Sequence, residues 1–144
     1  MKTIEIISTF LEKELYGVLG TTDKNIPKSR IFQYLFTVNE KIYFGTTNNK
    51  PVYEQIQKNQ NVCFCCHTFD YFSFITIEGA AKFENNLILK QKAMNDYPAI
   101  KELYKSPQNP IFEIFYIELE NVSIFSINSG KKMLIEGGKD VNSL

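Results

Sequence analysis

Two strand-like runs joined by only two residues constrain this chain more than any other feature. Residues 28–38 and 41–46 are dense in aromatic and β-branched side chains, and Asn39-Glu40 alone separates them. Two residues suffice for a tight turn between antiparallel strands and are far too few for a parallel crossover. The same punctuation recurs. Residues 16–22 read as a strand ending in a turn at Asp23-Lys24-Asn25, and 62–68, 71–83, 111–119 and 122–127 read as further strands. With 12 Phe, 8 Tyr and no Trp, the composition suits pleated, half-buried surfaces.

The helical signals are short. Ile4, Ile7, Phe10, Leu11 and Leu15 recur at helical spacing, which predicts a helix over 3–15. Pro51 suits the first position of a helix with an apolar face of Val52, Tyr53 and Ile56, ending at Asn59-Gln60-Asn61. Residues 85–95 and 99–105 read as two helices parted by Pro98, followed by a loop over 106–110. Gly79-Ala80-Ala81 marks a strand position where something packs closely on the backbone. The segment from Asn128 reads as loose except near Met133-Leu134-Ile135. The sum is mainly β: an antiparallel barrel of six or seven strands with a few short peripheral helices, one domain over 1–144.

Acidic and basic residues number 16 each, so no global field draws in nucleic acid or an anionic membrane. The first residues lack the basic-then-apolar pattern of a secretory signal, and no apolar run could span a bilayer, so the expected setting is cytoplasmic. Cys63, Cys65 and Cys66 crowd one segment with His67. On a strand, Cys63, Cys65 and His67 would share a face. Zinc sites, however, draw Cys pairs from turns and need a second pair, and His67 is the only histidine, so no metal is expected. No basic neighbour in sequence is placed to activate these thiols. The lone histidine also limits nucleophilic catalysis, and neither a Gly-x-Ser-x-Gly elbow nor a Gly-rich phosphate loop is present. Glu78 reads either as a buried carboxylate or as a partner for a nearby lysine. Phe32, Tyr34, Phe72 and Phe74 could stack on a planar ring or simply fill the core.

Segment 46–50 is the most informative for chemistry. It runs from a strand into a helix N-terminus, where free backbone N–H groups and the helix dipole favour an anion. Thr46, Thr47, Asn48 and Asn49 add side-chain donors and Lys50 a positive charge. A uniform register from the Asn39-Glu40 turn sets Phe36 opposite Tyr43 and Arg30 opposite Asn49, bringing Arg30 and Lys50 to one end of the hairpin. Arginine offers a bidentate fork for phosphate and lysine a point charge; the alternative is two solvated surface residues.

The order of these segments resembles the pyridoxamine 5′-phosphate oxidase-like, FMN-binding split-barrel proteins, most of all their short bacterial members. The likeness runs through Leu19-Gly20-Thr21-Thr22-Asp23 with Pro27-Lys28-Ser29-Arg30, then through Lys41-Ile42-Tyr43-Phe44-Gly45-Thr46-Thr47-Asn48-Asn49-Lys50. It continues in Val52-Tyr53-Glu54-Gln55-Ile56, Asn59-Gln60-Asn61-Val62, Ile75-Thr76-Ile77-Glu78-Gly79-Ala80-Ala81, Asn109-Pro110-Ile111-Phe112-Glu113 and Phe125-Ser126. The resemblance implies a split β-barrel homodimer with FMN at the subunit interface. It implies that Arg30 and Lys50 bind the phosphate, with Thr46, Thr47 and Asn49 nearby, and that Ile31, Phe32 and Gln33 lie along the isoalloxazine. Two departures stand out: Tyr71-Phe72-Ser73 occupies a place where the family often carries Trp, and no match appears to the substrate-binding residues of the true oxidases. The expectation is therefore an FMN-dependent oxidoreductase acting on a small molecule or electron donor. The alternatives are a flavin-binding or electron-carrier protein without turnover, or a dimeric scaffold that has lost the cofactor.

Overall fold

The computed structural model describes residues 2–134. Chain order is α1 (Thr3–Lys13), β1 (Tyr16–Asp23), β2 (Ile26–Val38), β3 (Lys41–Thr47), α2 (Pro51–Lys58), β4 (Asn61–His67), β5 (Ser73–Phe83), α3 (Leu87–Asp96), α4 (Pro98–Tyr104), β6 (Phe112–Ser126) and β7 (Lys131–Leu134). All strand pairings are antiparallel. The sheet order is β3-β2-β1-β4-β5-β6-β7, and β3 also pairs with β6, so the first six strands close a barrel. Both early hairpins turn through two residues at positive φ, Lys24 (50°) with Asn25 (68°) and Asn39 (51°) with Glu40 (62°). Paired positive φ values twist the turn in the sense that antiparallel strands need.

Two long strands make the barrel a split one. β2 gives residues 26–33 to β1, then passes 34–38 to β3. β6 pairs with β5 along its length while meeting β3 near its start and β7 near its end. The hand-over in β2 occurs at a bulge: Tyr34 pairs with Phe44 but Phe36 with Tyr43, leaving Leu35 as the extra residue. An extra residue bends a strand and raises its twist, which barrel closure requires. The uniform register fails for this reason. Phe36 does face Tyr43, but Arg30 pairs with Leu19 of β1 rather than with Asn49.

β6 corrects a second expectation. Residues 111–119 and 122–127 form one strand, because Glu120-Asn121 is a bulge rather than a break; Glu78 pairs with Asn121 and Gly79 with Leu119. A Cβ on Gly79 would lie 2.1 Å from the Glu118 carbonyl oxygen, which accounts for the close packing expected at 79–81.

Strand alternation sorts the side chains. Leu19, Phe32, Ile42, Phe44, Phe64, Ile75, Ile77 and Phe115 fill the barrel, joined by Ile7 and Leu11 of α1 and Val52 and Ile56 of α2. Phe44 sits centrally, 4.9 Å from Phe64 and 5.5 Å from Phe115 between ring centroids. Each such burial contributes about 1.5–3 kcal/mol. A second cluster forms outside the barrel, where Leu89, Ala93 and Met94 of α3 cover Leu35, Phe36, Tyr43, Phe112 and Ile114. The segment expected to be loose from Asn128 instead begins with a turn over 127–130, where Gly130 N–H donates to Ser126 O and Ile127 O; the patch expected at Met133-Leu134-Ile135 falls in β7 as far as Leu134, and the residues after it lie outside the described residues. Among the described residues, no helix is long and apolar enough to cross a membrane.

Candidate functional site

The hairpin turn fixes which backbone groups β2 leaves free. In a two-residue hairpin Asp23 and Ile26 exchange hydrogen bonds, so Ile26, Lys28, Arg30 and Phe32 turn their backbone groups toward β1. Pro27, Ser29, Ile31 and Gln33 turn theirs the other way. Pro27, which has no N–H, sits on that outer side as strand chemistry demands. Since β3 pairs with β2 only from Tyr34 onward, the outer edge at Ser29, Ile31 and Gln33 has no strand partner among the described residues.

Side chains alternate with the same two-residue period. Phe32 points into the core, 5.8 Å from Phe115, so its ring cannot line a surface site. Tyr34 is likewise core. Ile31 is 65% exposed and Gln33 half-buried on the outer face.

Arg30 does not reach the hairpin end; it reaches α2. Its Nη1 donates to Leu19 O at 3.0 Å and its Nη2 to Gln55 Oε1 at 2.8 Å. Thr21 Oγ1 donates to the same Gln55 oxygen at 2.6 Å. A second polar bond, Asn59 Nδ2 to Thr22 Oγ1 at 3.0 Å, also ties α2 to β1. Partial burial in this setting draws the Arg30 pKa down from its ordinary value, although an arginine stays charged in any case.

Lys50 is exposed and is the N-cap of that same helix, with no side-chain cap bond, and Pro51 follows at the helix start. A helix start lacking the usual Ser, Thr, Asp or Asn acceptor suits an external anion. Glu54 in the first turn pairs with Lys58 at 3.0 Å, which directs its carboxylate down the helix. In the loop before α2, Thr47 Oγ1 donates to Asn49 Oδ1 at 2.7 Å, leaving the Asn49 amide nitrogen as a donor. Asn48 is engaged elsewhere, donating to Pro110 O and Glu113. Thr46 is 4% exposed, and its Oγ1 has no hydrogen-bond partner among the described residues. The structure thus gathers Arg30, Asn49 and Lys50 around one helix, with Thr46 leading into it. The bonds that Arg30 and Thr21 each make to Gln55 are not foreshadowed in the sequence, since a Gln within a short helix carries no signal of its own.

β4 alternates as expected: Cys63, Cys65 and His67 face outward and Cys66 inward. Among the described residues no group of three or more His, Cys, Asp or Glu is placed to hold a metal. Burial pushes the Cys66 thiol up to about 12 and, with Cys63 nearby, raises that of Cys65. His67 Nδ1 lies 2.7 Å from Thr68 O, and its ring stacks on Tyr71 at 4.4 Å. Glu78 is exposed opposite Cys63, so neither a buried carboxylate nor a lysine partner is found there among the described residues. The outer face of β2, β1 and β4 carries exposed Ile31, Val18 and Tyr16. At the barrel end, Phe69, Tyr71 and Phe72 are also exposed.

No protein-family model and no curated protein matches the chain. Solved structures do. A NimC/NimA family protein from Clostridium acetobutylicum superposes with a TM-score of 0.83 at 21% identity, covering 100% of this chain and 95% of its own. General stress protein 26 from Bacillus anthracis gives 0.73 at 23% identity, over 86% and 94% of the two chains. A pyridoxamine 5′-phosphate oxidase-related, FMN-binding protein from Nostoc punctiforme gives 0.72 at 13% identity, over 90% and 87%. At these identities the shared property is the fold, a split β-barrel of the pyridoxamine 5′-phosphate oxidase-like type.

Proposed function

We propose that this chain binds flavin mononucleotide where the open edge of β2 meets the start of α2, works as a homodimer, and is a flavin-dependent oxidoreductase for a small molecule. One observation carries the reading: the Arg30 guanidinium is held against the helix whose uncapped N-terminus begins at Lys50. Arg30 and Lys50 would grip the phosphate, with Asn49 donating from the loop and Thr46 supplying its unpartnered hydroxyl. Ile31 and Gln33 would offer backbone N–H and C=O groups to the polar rim of the isoalloxazine, while Phe32 supports the strand from beneath. Bound flavin supplies the redox chemistry; the protein supplies binding, orientation and electrostatics. The fold shared with an FMN-binding protein supports the choice of cofactor.

A second copy completes the site in this reading. The apolar outer face lies on the same strand as the open edge, and a twin subunit seated there would wall the ring. Such an interface should bury more than about 2,000 Å² in total. Sedimentation as a stable monomer at micromolar concentration would remove this part of the proposal.

The test is titration of FMN and riboflavin into wild type, Arg30→Ala and Lys50→Ala at fixed salt. A charge-assisted hydrogen bond contributes about 1.5–3 kcal/mol, so each variant should bind FMN roughly 10- to 150-fold more weakly and riboflavin almost unchanged. Equal losses for both ligands would mean that these residues shape the pocket rather than hold the phosphate. No loss for either would put the site elsewhere.

A further inference from the structure

Gln55 ties Arg30, one half of the proposed phosphate cradle, to α2, whose N-cap Lys50 is the other. It lies on α2 five residues beyond the Lys50 N-cap, about 7.5 Å along the helix axis. Its side-chain oxygen accepts from Arg30 Nη2 at 2.8 Å and from Thr21 Oγ1 at 2.6 Å. An amide oxygen has two lone pairs, and both are taken. Arginine carries only donors, so the oxygen rather than the nitrogen of Gln55 must face it, and the Thr21 hydroxyl can then only donate. Thr21 is 4% exposed, so its hydroxyl has little recourse to water. Thr21 thereby fixes the amide, and the amide fixes the guanidinium, whose other nitrogen is held by the Leu19 carbonyl at 3.0 Å. Two of five guanidinium N–H groups are spent on the protein, and three remain for a ligand.

Resting on the flavin reading above, we infer that Gln55, backed by Thr21, is a positioning residue that sets the Arg30 fork for the phosphate before the ligand arrives. Without it, Arg30 must be ordered at the moment of binding. Immobilising a rotamer-rich side chain weakens binding by about 2- to 12-fold. The isosteric carboxylate would act differently. In Gln55→Glu the new charge captures Arg30 as an ion pair and repels the phosphate, so it should harm FMN binding more than Gln55→Ala does.

The experiment titrates FMN and riboflavin into wild type, Arg30→Ala, Gln55→Ala, Gln55→Glu and the Arg30→Ala/Gln55→Ala double variant. Melting curves verify that each is folded. The expected pattern has four parts. Gln55→Ala loses about 2- to 12-fold for FMN and nothing for riboflavin. Gln55→Glu loses more, and its extra deficit shrinks at high salt. In the Arg30→Ala background, Gln55→Ala costs little further, because no guanidinium remains to orient. Riboflavin affinity stays level across the set. If Gln55→Ala leaves FMN affinity intact while Arg30→Ala lowers it, the positioning role is wrong and the flavin site stands. If the Gln55 variants weaken both ligands alike, or Glu serves as well as Gln, the side chain only packs and the inference is overturned. If Arg30→Ala also changes nothing, the inference and the phosphate assignment fall together.

Discussion

Replacing Thr46 with valine should make the flavin-free protein more stable. Thr46 is 4% exposed, and its hydroxyl finds no acceptor or donor among the described residues. A hydroxyl buried without a partner costs about 1–3 kcal/mol in proteins. Valine keeps the β-branched shape on β3 and removes that cost, so a gain of about 1–2 kcal/mol is expected. For a domain close to this length each kcal/mol moves the melting temperature by about 2–4 °C, giving a rise of about 2–8 °C. The assay is thermal and urea unfolding without flavin at one fixed protein concentration, because ligand or subunit association shifts apparent stability. The same variant should bind FMN more weakly, since it lacks the hydroxyl that the site would use. Thr46→Ser keeps the hydroxyl, loses a methyl group and should not gain stability. Destabilisation of Thr46→Val by more than about 1 kcal/mol would show that the hydroxyl is already satisfied, as a buried water could do, and the case for its waiting on a ligand would collapse.

Other outcomes follow from single residues. Burial holds the Cys66 thiol at about 12, so at mildly alkaline pH an aromatic disulfide reagent should label Cys66 only after unfolding; rapid labelling of all three thiols in the folded protein would contradict its placement. Gly79→Ala would set a Cβ 2.1 Å from the Glu118 carbonyl oxygen and should cost about 1–3 kcal/mol in urea unfolding, whereas an unchanged midpoint would mean that the bulge is absent. Burial, reinforced by Glu84, raises the Tyr43 hydroxyl to about 12 from 10.0. The stability this contributes is fully present below pH 10.0 and lost as pH climbs through about 12. Tyr43→Phe should flatten that alkaline decline; an identical decline in the variant would assign it to other groups. Ile31→Asp and Val18→Asp put a carboxylate on the exposed apolar face and should shift sedimentation from dimer to monomer, while unaltered dimers would place the interface elsewhere.

The strands were legible because their signals are local. Two-residue turns and alternating apolar positions depend on neighbours in sequence, and β1 to β5 appear close to where the pattern places them. What the sequence hid was longer in range. Leu35 as a bulge is decided by how β2 must bend between two partners, and nothing in Tyr34-Leu35-Phe36 announces it. The polar pair Glu120-Asn121 has the composition of a turn and acts as a bulge within one strand. The candidate residues were legible as a list and not as a geometry. Arg30 and Lys50 do not meet across the hairpin; each attaches to α2 separately, Arg30 through its bond to Gln55 and Lys50 as the N-cap. Phe32 shows the same limit, since strand parity sends its ring into the core.

The central claim is that this barrel is built to hold FMN. Its most direct measurement is a titration of the purified protein with FMN, followed by flavin absorbance and fluorescence. The account predicts saturable binding of one FMN per chain, with a perturbed flavin band and quenched emission as the ring enters the interface, at a Kd far tighter than about 1 mM. A flavin spectrum that stays that of the free ligand up to millimolar concentration would contradict it.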